Sequence, residues 1–201
     1  MARGSPVDER ECPLLRLGCY LVVLVIERFD RVAEGDQWRR RAMVSALTLF
    51  ELDEVMAAYA SYEKLAEIIR HRFSEPKATL RELFSRIVFN ILSGDTDDHA
   101  RNHAAFWNGH QLSLTPAYDI CPQSRSGQQS SQAMLIHAGD RSSNLATCIA
   151  VAGSFFLAWE EAIAICREAT EIDPEIPQVW LLGRSVADKS KQAEAQVFFR
   201  C

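Results

Sequence analysis

Residues 94–119 read GDTDDHARNHAAFWNGHQLSLTPAYD, and they are the most informative stretch of the chain. They follow the clearest predicted helix, Lys77–Ser93, whose apolar residues recur at helical spacing and whose end is marked by Gly94. Asn108-Gly109 lies between two short apolar runs, which predicts a β-hairpin. The predicted order is therefore a long helix, a polar loop, a hairpin and a closing aspartate.

Two aspartates and an asparagine in this stretch have the order of a phosphoryl-transfer site. Asp97 and Asn102 are five positions apart, and the hairpin then returns the chain to Asp119. One carboxylate can accept the proton of an attacking hydroxyl, while an asparagine oxygen and a second carboxylate hold Mg²⁺ on nucleotide phosphates. Because paired strands lie about 4.8 Å apart, we expect Asn102 and Asp119 to share one ion.

The same residues resemble the C-terminal domain of HipA-type serine/threonine kinases, the toxins of bacterial toxin–antitoxin modules. The family pattern, T-D-x-H-x-x-N followed by L-x-P-x-Y-D, is filled at its key positions by 96–102 and 114–119. The resemblance implies an α+β, mostly helical, protein-kinase-like C-lobe with a hinge strand and a small β-hairpin at the site. It also implies that Asp97 is the catalytic base and that Asn102 and Asp119 are the Mg²⁺ ligands in a transfer from ATP to a protein hydroxyl.

An apolar run near the N-terminus predicts one buried β-strand over 17–27, because it is rich in β-branched residues. Residues 25–31, VIERFDR, resemble the hinge strand of the HipA-type kinases, which contacts the adenine of ATP. The candidate cofactor-binding residues are therefore Glu27, Phe29 and His99. Glu27, largely through its backbone, and Phe29 would border the adenine, whereas His99 would hold the loop by hydrogen bonds.

The chain departs from the family on its N-terminal side. Only sixteen residues precede the predicted strand, and the first lysine is Lys64, after the hinge. A complete HipA-type kinase carries an N-terminal lobe there, which supplies a phosphate-covering loop and a lysine to ATP. We expect an irregular N-terminus over 1–13 and a kinase C-terminal domain over 14–201 that is a truncated gene, a split kinase or a degenerate copy, inactive without an N-lobe.

The composition of the chain limits the classes of partner that it can bind. The 201 residues carry a net charge of −5, which argues against a general binder of nucleic acid or of an anionic membrane. The longest apolar run is too short to span a bilayer, which needs about 20 residues. Six cysteines without a C-x-x-C pair are interpreted as reduced thiols of a cytoplasmic protein.

Two further functions stay open beside the kinase. A non-catalytic module would bind a DNA-binding antitoxin or a separately encoded N-lobe, where the kinase would bind a protein substrate. A metal-dependent phosphohydrolase would use His99 and His103, which are four positions apart. The hairpin argues against a helix at these histidines, so we expect His103 to be exposed and His99 to be hydrogen-bonded within its loop.

The remaining chain is predicted to be largely helical. Ser61 is a plausible N-cap for a helix that follows it. Ser142 or Ser143 is predicted to cap a helix over 144–157. Further predictions are a loop or weak hairpin over 30–41, a helix over 159–170, one or two helices over 179–199 and a mobile loop over 123–132.

Overall fold

The computed structural model describes residues 14–17, 21–24, 28–123 and 130–172. Mixed helix and strand content is found, as predicted. The strands are β1 (Leu14–Leu17), β2 (Leu21–Leu24), β3 (Arg31–Glu34), β4 (Gln37–Arg40), β5 (Met43–Ser45), β6 (Ala104–Trp107) and β7 (Leu112–Leu114). The helices are α1 (Ala46–Leu49), α2 (Tyr62–Arg72), α3 (Pro76–Ser93), α4 (Leu145–Ala150) and α5 (Trp159–Ile172), with 3₁₀ turns at Ala57–Tyr59 and Ala152–Phe155.

Helix α3 is the central element of the core and confirms the predicted helix. It starts at Pro76, whose fixed φ suits the first helical position. It ends at Gly94, which has a φ of 75° in the left-handed region that favours glycine. The helix packs against α2, α4, α5 and the turn at Ala152–Phe155. Because α3 is fixed on so many sides, its C-terminal end gives the polar loop a rigid starting point.

The buried face of α3 lies within the hydrophobic core. Phe84 meets Phe155 edge to face, with ring centroids 5.5 Å apart. Burying a large apolar side chain contributes about 1.5–3 kcal/mol, so this helix contributes strongly to the stability of the fold. Its fully buried apolar residues are Leu80, Leu83, Phe84, Ile87, Val88 and Ile91.

Helix α2 begins where the sequence predicts. The Ser61 hydroxyl accepts a hydrogen bond from the Lys64 backbone N–H at 3.1 Å, which satisfies one of the free donors of the first turn. Tyr62, Leu65 and Ile69 are buried against the core. Tyr62 is the member of this face that extends toward the polar loop.

The predicted hairpin is present and belongs to a three-stranded antiparallel sheet in the order β5-β6-β7. Phe106 lies opposite Met43 on one side and Ser113 on the other. The loop between β6 and β7 is closed by the Asn108 side chain, whose Oδ1 accepts the His110 and Gln111 backbone N–H groups. The sheet thus brings the end of β7 back beside the start of β6, as the order of the motif requires.

The prediction of a single strand over 17–27 is wrong. Leu17 belongs to β1, which pairs antiparallel with β2 so that Leu17 lies opposite Leu21. An unbroken apolar run is compatible with one strand or with two paired strands, because β-branched residues favour the strand conformation in both cases. Residues 25–27, including Glu27, lie outside the described part. The 30–41 segment forms the hairpin β3–β4, which was one of its two predicted structures.

The helix predicted over 144–157 differs from the prediction in its N-cap and in its length. The N-cap is Asn144, whose side chain accepts the Thr147 backbone N–H at 2.8 Å, and neither Ser142 nor Ser143 takes that role. The Ser142 hydroxyl is held by the Asp140 carboxylate instead. The predicted helix over 144–157 is divided into α4 and a 3₁₀ turn. The helix predicted over 159–170 is confirmed as α5, whereas the predicted helices over 179–199 and most of the predicted loop over 123–132 lie outside the described residues.

None of the helices in the described ranges is both long enough and apolar enough to cross a membrane. Of the cysteines in those ranges, Cys148 and Cys166 are buried and Cys121 is exposed. Burial raises the pKa of the Cys166 thiol to about 12 and that of Cys148 well above its usual value. Both buried thiols therefore stay protonated at neutral pH, as expected of small core residues.

Candidate active site

The loop that follows α3 is held in place by the Asp95 side chain. One carboxylate oxygen accepts the backbone N–H of Asp97 at 3.1 Å, and the other accepts that of Cys121 at 3.0 Å. Asp95 is only 2% exposed, and burial raises the pKa of its carboxyl group. The two bonds connect the segment that carries Asp97 to the segment that carries Asp119.

The motif that singles out Asp97, Asn102 and Asp119 gives Asp95 no role of its own. Its function in the loop depends on Cys121, 26 positions away. The order of the motif indicated that the segments carrying Asp97 and Asp119 approach each other. It did not indicate that the buried Asp95 carboxylate connects them.

Asn102 and Asp119 are adjacent in the structure. The Asn102 Nδ2 donates to the backbone carbonyl of Asp119 at 3.4 Å. Asn102 is buried, whereas the Asp119 side chain is exposed, and the φ of 58° at Asp119 lies in the left-handed region. A non-glycine residue in that region stores backbone strain and is frequently found at functional sites. The hairpin therefore brings together the two residues expected to share an ion.

The Asp97 carboxylate is exposed at the start of this loop. Its neighbour Arg101 forms an ion pair with Glu54. The pKa of Arg101 is raised mainly by its hydrogen bond and charge interaction with Glu54, and to a smaller extent by the charge of Asp97. Asp97 is thus accessible to a reactant and lies within electrostatic reach of the Arg101 guanidinium.

The donor set at Asn102 and Asp119 fits a hard divalent cation. An amide oxygen and a carboxylate are oxygen ligands of the kind that Mg²⁺ prefers, and Mg²⁺ normally keeps several waters or phosphate oxygens beside one or two protein groups. The hydrogen bond from Asn102 uses its nitrogen, so its oxygen is not occupied by that bond. Among the described residues, no group of three or more His, Cys, Asp or Glu side chains is arranged to hold a metal ion.

Phe29 packs against Tyr118, the residue before Asp119. Its ring centroid is 5.7 Å from that of Tyr118 and 6.0 Å from that of Phe106, which it meets edge to face. The Tyr118 hydroxyl donates to the backbone carbonyl of Arg101, so the residue before Asp119 is fixed to the loop. Of the two residues expected at the adenine, the structure places Phe29 near the site, and Glu27 lies outside the described residues.

A buried polar network lies directly behind the loop, and sequence reasoning missed it. The Asp98 carboxylate, 4% exposed, accepts hydrogen bonds from the Tyr62 hydroxyl and, at 3.0 Å, from His103 Nε2. Burial alone would raise the pKa of Asp98, but the charge of His103 and hydrogen bonds from His103, Tyr62 and Asn90 hold it below its usual value. Burial and the nearby Asp98 raise the pKa of Tyr62 well above its usual value.

The prediction that His103 is exposed is therefore wrong. His103 is 2% exposed, and its ring stands edge to face against Tyr62, with centroids 5.7 Å apart. A buried polar side chain is retained in a fold when it is hydrogen-bonded. The histidine is buried because Asp98, five positions earlier, provides that partner.

Arg86 lines a small cavity together with Asp98 and His103 of this network. Its guanidinium, largely buried, donates to the Glu82 carboxylate at 2.9 Å and to the Thr115 carbonyl at 2.8 Å. This cavity, of about 10 Å³, is also lined by Asn102 and Tyr118. Asn102 therefore borders the same small cavity as the buried side chains of Arg86 and His103.

His99 is hydrogen-bonded within its loop through its backbone and not through its ring Nδ1. Its backbone carbonyl accepts the Asn102 N–H at 2.9 Å, but its buried ring Nδ1 has no hydrogen-bond partner within the described ranges. The side chain lines a pocket with Arg101, whereas His103 lines the cavity with Arg86. Because the two imidazoles line different cavities, the geometry gives no support to a shared metal site.

Comparison with known proteins shows the family to which the chain belongs. The profile of the family described as HipA-like C-terminal domain matches residues 1–180. A curated relative from Haemophilus influenzae, named "Putative kinase", is 32% identical over 102 residues, which are 48% of this chain and 29% of that protein.

A solved structure shares the fold. It is described as the toxin–antitoxin system of Shewanella oneidensis MR-1 with HipA, HipB and operator DNA, and its matching chain superposes with a TM-score of 0.66 at 19% identity. The match covers 88% of this chain and 46% of that chain, so the present chain spans less than half of each of these two relatives. The α+β HipA-like fold expected from the sequence is confirmed, and the chain belongs to the HipA-like C-terminal domain family.

Proposed function

We propose that this chain carries the Mg-ATP site of a serine/threonine kinase that transfers the γ-phosphoryl group of ATP to a protein hydroxyl. The single observation that carries the proposal is the convergence of Asn102 with Asp119, in a frame that Asp95 ties to the Asp97 loop. The name of the Haemophilus influenzae relative supports kinase chemistry. Phosphoryl transfer depends mainly on positioning and electrostatic stabilisation, which a rigid frame supplies.

Each residue has a distinct role in this proposal. Asp97 orients the attacking hydroxyl and accepts its proton, since its carboxylate is exposed where a substrate can reach it. Asn102 and Asp119 provide oxygen ligands for Mg²⁺, which when bound neutralises charge on the phosphates. Phe29, which lies beside Tyr118, offers an aromatic edge to the adenine of ATP. Asp95 positions both segments and does not touch the reactants.

The phosphoryl-transfer assay tests this proposal. The chain is incubated with γ-labelled Mg-ATP and a bacterial protein extract, with and without a separately produced N-terminal lobe of a complete HipA-type kinase. We expect label on serine or threonine in at least one of the two mixtures, and no label when EDTA removes Mg²⁺. Absence of label in both mixtures, or label that persists in EDTA, would contradict the proposal.

A second candidate function is binding of an antitoxin without catalysis. The hairpin β3–β4 exposes Trp38 by 64% and Val32 by 38%, and exposed apolar surface of this kind marks interaction sites. The Shewanella oneidensis structure contains HipB together with HipA. Absence of transfer in both mixtures would favour this candidate over the kinase.

A further inference from the structure

A second pocket, of about 280 Å³, borders the loop of Asp97 and has no part in the roles proposed above. Its polar lining consists of His99, Arg101 and Arg141. Small apolar side chains form the rest of the lining, namely Leu47, Ala57, Ala58, Ala100 and Ala133. A pocket with apolar walls and a few convergent polar groups is the usual form of a binding site.

The pocket lies next to the proposed base. The Ala133 backbone N–H, on one wall, donates to the carbonyl of Thr96 at 3.0 Å, one residue before Asp97. On another wall, Arg101 lies within electrostatic reach of Asp97. A group in this pocket would therefore be held close to a hydroxyl that Asp97 activates.

Arg141 gives the pocket a fixed positive charge. Its guanidinium donates to the carbonyl of Ala133 at 3.1 Å and to that of Ala58 at 2.9 Å. Within the described ranges no carboxylate forms an ion pair with Arg141, whereas Arg101 is neutralised by Glu54. The buried Nδ1 of His99 also lacks a partner in those ranges. The pocket thus offers one uncompensated cation and one free ring nitrogen, which together suit a carboxylate.

The surface around the pocket suits a protein and not a small molecule. Val55, Met56 and Tyr59 flank the two alanines of the wall, and they are 86%, 43% and 66% exposed. Contiguous exposed apolar residues mark protein–protein contacts. The same turn therefore supplies both a wall of the pocket and an apolar platform outside it.

We propose that this pocket binds an acidic side chain, best a glutamate, close to the phosphoacceptor serine or threonine of the substrate protein. This inference rests on the proposed kinase function and specifies its substrate. The two methylene groups of glutamate would pack against the alanine walls, and the carboxylate would reach Arg141 and His99. The binding pocket would then select acceptor sequences by charge, as peptide-binding modules do with anionic motifs.

The test uses the full chain and serine-centred peptides immobilised as an array, without nucleotide. At each position flanking the serine, the peptides carry glutamate, glutamine, leucine, lysine or phosphoserine. We expect one position at which glutamate binds about tenfold more tightly than glutamine, equal to about 1.4 kcal/mol. Arg141→Met should remove this preference and Arg141→Lys should keep part of it. The control Arg167→Met, an exposed arginine on α5, should leave it unchanged.

Since Arg141 also holds two backbone carbonyls, circular dichroism verifies that Arg141→Met is folded, and His99→Ala provides a second variant with both of those bonds intact. His99→Ala should weaken the glutamate preference. Binding of no peptide, no preference for glutamate, a preference for leucine or phosphoserine, or a glutamate preference that survives both variants would overturn the inference. Mg-ATP binding is measured separately on the same protein. A glutamate preference without Mg-ATP binding would contradict only the kinase function. Mg-ATP binding without a glutamate preference would contradict only the pocket assignment.

Discussion

Replacement of Asp98 by alanine is expected to lower the free energy of unfolding by about 3–5 kcal/mol. The carboxylate is buried and accepts hydrogen bonds from Tyr62 and His103, so its removal leaves both donors buried without an acceptor. Urea unfolding followed by circular dichroism measures the change. The matched control is Asp97→Ala, one residue away and exposed, which should change stability by no more than about 0.5 kcal/mol.

The effect of Asp98 depends on pH in a defined direction. Because its folded pKa lies below its usual value, the stabilising contribution is complete above the unfolded pKa, about 3.9, and is lost as pH falls through the folded pKa. The difference in stability between wild type and Asp98→Ala should therefore shrink as the pH is lowered through the acid range. Equal stability of the two proteins at pH 7 would show that the buried network does not support the loop.

The replacement Asp97→Asn is expected to lower the rate of phosphoryl transfer by about 10²–10⁴-fold, the usual contribution of a general base. Asparagine keeps the size of the side chain but cannot accept the proton. Because Asp97 is not one of the proposed ion ligands, the KM for ATP should change little while kcat falls. The transfer assay with labelled Mg-ATP measures both constants in the mixture that is active.

The control for this prediction is Asp36→Asn, which removes the same charge from the exposed turn between β3 and β4. It should transfer phosphate at the wild-type rate. A kcat unaffected by Asp97→Asn would remove Asp97 from the role of base. A rise in KM for ATP with unchanged kcat would instead place it among the nucleotide ligands.

The contrast between two neighbouring aspartates shows what the sequence could predict. The family pattern selected Asp97, and its exposed carboxylate agrees with contact to a reactant. Nothing local distinguishes Asp98, whose partner Tyr62 lies 36 positions earlier, on α2. The burial of His103 was missed because its ring packs against the same distant Tyr62. Such networks depend on packing between elements, which a local pattern does not contain.

Elements specified by local rules were predicted well. Helix α3 follows from its apolar periodicity and its terminal glycine, helix α2 from its serine cap, and the hairpin from Asn108-Gly109. Errors arose where two local solutions compete. An apolar run satisfies one strand or two paired strands, and several adjacent polar residues can each cap a helix, so Asn144 displaced the predicted Ser142 or Ser143.

The proposed function depends above all on Asn102 and Asp119 holding Mg²⁺ on the phosphates of ATP. Calorimetric titration of the chain with Mg-ATP tests this metal site, beside Asp119→Ala and the charge-matched control Asp36→Ala. We predict saturable binding that requires Mg²⁺, is retained by Asp36→Ala and is lost in Asp119→Ala. Binding of equal strength in the wild type and Asp119→Ala, or no binding by any of the three proteins, would contradict the proposed site.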